Sequence, residues 1–218
     1  MRTVAWLVVL TVHLVIACLP TVLLSVFFEP DPALAWLTAV GMLPIGPALC
    51  AGLYAARSHA TDAELTVSRA FWHGYRVNWL DALKVSVPAI LVVSVIGFVV
   101  AEGGDAGLPA IYRGALLGFA ALLVVGTLHA LALAATFRFS WAEVVQLAAY
   151  SLAKRWGVSL ALLGLICAAV LVASYFSDLA FAALSGLWVW LYSRLLVRPL
   201  DDIRERFAPA DTNASNPA

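Results

Sequence analysis

Three groups of residues have types and spacings that could do chemistry. The first is a cluster of rings and cations, Arg69, Phe71, Trp72, His73, Tyr75, Arg76, Asn78 and Trp79, in a chain dominated by Ala, Leu and Val. Such a set could grip a phosphate, a lipid headgroup or a docking partner, because guanidinium groups match phosphate geometry and stack on rings. It could equally anchor a helix where lipid meets water, since Trp and Tyr favour that depth. The second group is His13 and His129, each deep in an apolar run. A neutral imidazole with a hydrogen-bond partner is tolerated there, so each is either a satisfied structural residue or polar lining of a solute path. The third is Pro44, Gly46 and Pro47, which interrupt another apolar run. Proline removes an amide donor and clashes with the preceding turn, so a kink is predicted. Carbonyls freed by the kink must be satisfied by neighbours, water or a ligand.

Signatures of catalysis are missing. The chain has no HExxH, no glycine-rich phosphate loop, no CxxC and no GxSxG. No catalytic residue, cofactor or metal site is expected, because no third ligand accompanies the histidines. A lipid- or glycan-modifying membrane enzyme is the least supported class. No Asp or Glu falls at the centre of an apolar run, which argues against a proton-coupled pump.

The elements that hold these residues follow from composition. Of 218 residues, 63% are hydrophobic and 12% charged, with mean hydropathy +0.95. Soluble domains carry about 25% charged residues. Too little polar surface exists to cover a globule in water, so an integral membrane protein is expected. Net charge is zero, and no basic tract would hold a nucleic acid. Cys18, Cys50 and Cys167 lie in apolar runs and read as small core residues. The first apolar run is longer than the roughly 7–15 residues of a signal-peptide core, so it reads as a span. Eleven of the 13 basic residues are Arg and Ala is abundant, which hints at a GC-rich bacterial genome.

A span needs about 20 apolar residues. Six segments qualify, at 4–28, 33–56, 82–101, 109–137, 157–176 and 179–198. Grouping the termini with the long connections 57–81 and 138–156 puts 12 Lys and Arg on one side and only Arg113 on the other. The positive-inside rule then makes both termini cytoplasmic. The tail 208–218 is small and polar, and disorder is expected there. Its Asn213-Ala214-Ser215 sequon would go unused in a cytosolic bacterial tail.

Two capping boxes start helices in the long cytoplasmic connections, Thr61-Asp62-Ala63-Glu64 and Ser140-Trp141-Ala142-Glu143. They predict amphipathic interfacial helices over 62–78 and 141–155. On the first, Leu65, Ser68, Trp72, Tyr75 and Trp79 share a face that Phe71 widens, while Arg69, His73 and Arg76 share another. The boxes are 79 residues apart, and other positions agree at that shift, including Phe71 with Tyr150 and Arg76 with Arg155. A repeated unit is inferred: a span in, an interfacial helix, a span out. Its pseudo-axis would lie along the membrane normal. Gly114-x-x-x-Gly118 would permit close helix packing. The charged stretch after 198 reads as a solvated exit helix.

Two segments, PIGPALCAGLYAAR at 44–57 and FWHGYRVNWLDALK at 71–84, resemble the DUF624 family of YesL-like bacterial membrane proteins. Gly46-Pro47-Ala48, Tyr54, Phe71, Tyr75, Arg76, Asn78 and Trp79 fit slots of that family's pattern, and the resemblance extends over about residues 1–207. The loop before the helix, SHATDA, is less basic than in many members. The family has no established molecular activity. Its members are often encoded beside ABC-type sugar importers, which implies a role around carbohydrate uptake by association alone.

The expected fold is therefore all-α: a polytopic bundle of six transmembrane helices with two cytoplasmic interfacial helices. The expected function is an accessory or regulatory protein of the bacterial cell membrane, contacting lipid and subunits of an ABC sugar importer. Arg69, Phe71, Trp72, His73, Tyr75, Arg76, Asn78, Trp79 and Arg155 would make the partner or headgroup contacts. The alternative is a stand-alone carrier or channel for a small neutral solute such as a sugar, with His13, Pro44, Gly46, Pro47 and His129 at its cavity or kink.

Overall fold

Apolar runs with few breakers can satisfy their backbone groups internally only as helices, and in a computed structural model of the chain the described residues form helices joined by turns and short connections, with no strand among them. It describes residues 2–27, 35–61, 66–137, 141–175 and 178–207. The expected tail 208–218, the EPDP connection, Asp62–Glu64 of the first capping box and Ser140 of the second lie outside them.

In chain order the helices are α1 (Arg2–Ala17), α2 (Leu19–Phe27), α3 (Ala35–Gly41), α4 (Ile45–Thr61) and α5 (Val67–Glu102). They continue as α6 (Ala110–Thr136), α7 (Trp141–Lys154), α8 (Trp156–Tyr175), α9 (Asp178–Ala183) and α10 (Ser185–Phe207). Among the described residues, four stretches are long and apolar enough to cross a membrane: Trp36–His59, Val67–Glu102, Ala110–Thr136 and Trp156–Tyr175. The run expected to span 4–28 is divided at Cys18 into α1 and α2, and the run at 179–198 is divided at Leu184 into α9 and α10.

The proline break is local. Past α3, the amides of Leu43 and Ile45 bond three residues back, to Val40 at 3.2 Å and Met42 at 3.1 Å, before Ala48 to Pro44 at 3.0 Å restores the helix. Such tight turns release a carbonyl. Gly41 owns one of them, and the Thr21 hydroxyl of α2 donates to it. The Gly41 carbonyl is thus satisfied from inside the chain.

The two copies of the repeated unit differ. In the first, α5 runs unbroken through both the expected interfacial helix (62–78) and the span expected at 82–101. Thr61 closes α4 instead of capping the next helix, and Thr66, in extended conformation, stands at the N-cap of α5. In the second copy the same stretch is cut at Arg155 into α7 and α8. Side chains brace the cut. Ser159 Oγ lies 3.4 Å from the Leu152 and Arg155 carbonyls, the second of which also accepts from the Val158 and Ser159 amides at 2.9 and 3.1 Å. His129 on α6 holds that hydroxyl at 3.2 Å. At the shift of 79, Ser159 aligns with Leu80 and His129 with Cys50, which cannot make the pair. The first copy has no such brace. There the Asn78 amide instead donates back to the Gly74 carbonyl at 3.0 Å along the helix.

Helix α4 is the centre of the bundle. Its small residues let neighbours approach closely. Cys50 and Leu53 join one buried cluster with Leu131, Leu133, Leu162, Tyr192 and Leu196. Ala48, Ala51 and Ala55 join another with Trp6, Leu10, Leu14, Phe71 and Val189. Side by side, α4 and α6 run in one direction: Cys50 Sγ donates to the Leu131 carbonyl at 3.4 Å, and Arg57 Nη1 to Thr136 Oγ1 at 3.1 Å. Arg57 and Thr136 are equivalent positions of the repeat, 79 apart, so they meet where a pseudo-axis between the copies would pass. At the far end, Gly107, at φ +76°, closes the reversal between α5 and α6, a conformation that favours glycine.

Candidate functional site

The aromatic and basic cluster occupies the first turns of α5, against α1 and α4. The side-chain pattern differs from the one the spacing suggests. The buried positions of this part of α5 are Ala70, Phe71, Gly74 and Ala82, with Ser86 below. A Cβ on Gly74 would stand 2.8 Å from Tyr54 Cβ, so this stripe of small residues is what lets α4 and α5 approach. The larger rings are pushed to the edges. Phe71 is fully buried, while Trp72 and Tyr75 are half-buried beside it with ring centroids 5.4 and 6.4 Å away. Trp79, expected on the same face, is 46% exposed. Arg69, His73 and Arg76 are all exposed, and His73 leans on Tyr54 at 5.7 Å. Asn78 is half-buried. Arg155, grouped with this cluster by the repeat, sits at the α7–α8 elbow instead.

His13 joins the cluster from α1. Its ring lies 5.7 Å from Phe71 and 6.2 Å from Trp72. Its Nδ1 is 2.7 Å from the Val9 carbonyl, which can only accept, so Nδ1 carries the proton. His129 is buried and bonded to Ser159. Both histidines thus have internal partners, in different parts of the bundle.

Two concave sites lie elsewhere. A groove of about 380 Å³ is bounded by α5, α6 and α7, with Pro88, Val92, Phe119, Leu123, Val145 and Leu152 among its walls and Lys84 as its charged residue. A smaller cavity of about 190 Å³ lies at the proline break, between Ile45, Gly46 and Leu49 of α4, Ser86 and Ile90 of α5, and Leu128 and Leu131 of α6. The two share Ala89 and Thr127 as wall residues. Their walls are almost wholly apolar. Gly46 is the site residue that the break contributes to the smaller cavity, while His13 and His129 line neither. Ser86 Oγ is buried on its wall without a hydrogen-bond partner. Neither site was legible in the sequence, although Pro88 inside an apolar run was a signal that could have directed attention to α5.

One end of the bundle brings together the start of α1 and the ends of α4 and α6. Trp6 stacks on His59 at 5.1 Å, joining the start of α1 to the end of α4, and Arg57 joins that end to the end of α6. The start of α5, with its cations, adjoins the same end through Thr66. Among the described residues no group of three or more His, Cys, Asp or Glu could hold a metal ion. No family model, no curated protein and no solved structure matches the chain.

Proposed function

We propose that this chain is a six-span protein of the bacterial cell membrane with both termini cytoplasmic, acting as an accessory or regulatory component of an ABC-type carbohydrate importer. One observation carries the docking part: the cluster at the start of α5 has two sides with different fates. Phe71 and its neighbouring rings are taken up by packing on α1 and α4, whereas Arg69, His73, Arg76 and Trp79 are left on the outer surface. An anchor needs the rings in lipid; here most of the ring surface is internal, so the cations are free for a partner. The carbohydrate link comes from the DUF624 resemblance alone. The solute-carrier alternative draws support from the cavity at the proline break, but apolar walls suit a sugar poorly.

The test is co-purification from native membranes. The Arg69→Ala, Arg76→Ala double variant should reach normal membrane levels and lose capture of importer subunits. Reduced membrane insertion with partner capture intact would make the cluster an anchor. Sugar uptake into proteoliposomes holding this protein alone would favour the carrier.

A further inference from the structure

We propose that the groove between α5, α6 and α7 binds the acyl chain of a phospholipid with a primary-amine, zwitterionic headgroup of the phosphatidylethanolamine class. Its shape suits a chain. Along α5 the wall from Lys84 to Val92 covers eight residue steps, about 12 Å at 1.5 Å per residue, close to the hydrocarbon depth of one leaflet (half of about 30 Å). Its walls are almost wholly apolar along that length, and it is open to the outside of the bundle, where a membrane would supply lipid.

The mouth selects the headgroup. At the end of the groove, Lys84 Nζ forms an ion pair of 2.9 Å with Asp81 Oδ1, an exposed residue one turn before it on α5. Pro88, in the groove wall, has no N–H to give to the carbonyl of Lys84, its partner four residues back. The mouth therefore offers one cation and two acceptors within a turn. A phosphate can take Lys84, and a primary ammonium has N–H groups for Asp81 and the Lys84 carbonyl. A quaternary ammonium has no such donors. A headgroup with only negative charge would leave Asp81 unanswered. The groove exists because the elbow at Arg155 folds α7 over the α5–α6 hairpin, with Val144 and Ala148 buried beneath it.

This inference rests on the membrane placement proposed above and is independent of the importer: a lipid adduct can persist where partner capture fails, and the reverse. The experiment is native mass spectrometry of the detergent-purified full-length protein. Equimolar palmitoyl-oleoyl phosphatidylethanolamine, phosphatidylcholine and phosphatidylglycerol are added in turn. The expected result is an ethanolamine-lipid adduct favoured by about tenfold, the ratio that losing one charged hydrogen bond gives. Ala149→Trp fills the groove from an exposed wall position, and Lys84→Ala removes the cation. Each should abolish the preference while leaving the fold intact by circular dichroism. Equal retention of the three lipids, no retained lipid, or an Ala149→Trp protein that keeps the wild-type preference would overturn the proposal.

Discussion

Gly46 illustrates what residue types alone conveyed and what they withheld. The Pro-Ile-Gly-Pro run announced a kink, and α4 does begin there. It did not announce that a Cβ on Gly46 would stand 2.5 Å from Ser86 Oγ and 2.7 Å from Ser86 Cβ. That contact is long-range and has no local signature. Gly46→Ala should destabilise the protein by about 1–3 kcal/mol, the usual cost of overpacking. Adding Ser86→Gly should return part of the loss in detergent thermal unfolding; an additive double variant would sink the contact. The rings of FWHGYRVNW mislead in a related way. They are the conspicuous residues, yet Ala70, Gly74 and Ala82 mark the buried side, four to eight apart. Small residues at helical spacing were readable as a packing stripe, but rings and charge dominated the pattern.

At the scale of elements, the spans at 109–137 and 157–176 were legible to within about one residue, because uninterrupted apolar runs leave little choice. The first interfacial helix was not. A capping box marks where a helix can start, while nothing in residues 66–82 forces it to stop before the span, so α5 continues for 36 residues. In the second copy a stop exists, and Ser159 and His129 brace it. His129 thus stands beside an elbow, bonded across it to Ser159. Ser159→Ala and His129→Ala should each raise hydrogen exchange at Val158 and Ser159 or its replacement by about fivefold, from loss of a bond worth roughly 1 kcal/mol. The matching segment of α5, residues 76–80, should stay unchanged. Equal protection at the elbow in wild type and variants would contradict this role.

At the scale of the molecule, the described residues form a helical bundle with four stretches fit to cross a bilayer, centred on a helix of small residues that joins two buried clusters. Composition forced that class, since 12% charged residues cannot solvate the surface. The lateral groove depends on how α7 folds over its neighbours, which no periodicity encodes. The central claim is placement: an even number of crossings with the arginine-rich end inside the cell. The most direct measurement tags each terminus and places a single thiol at Asp105→Cys, in the α5–α6 turn, with Cys18, Cys50 and Cys167 changed to Ala. Intact cells are then treated with a membrane-impermeant thiol reagent and antibodies to the tags. Labelling at residue 105, with both tags hidden until the cells are opened, is the expected result. A tag reachable on intact cells, or protein recovered from the aqueous fraction without detergent, would contradict it.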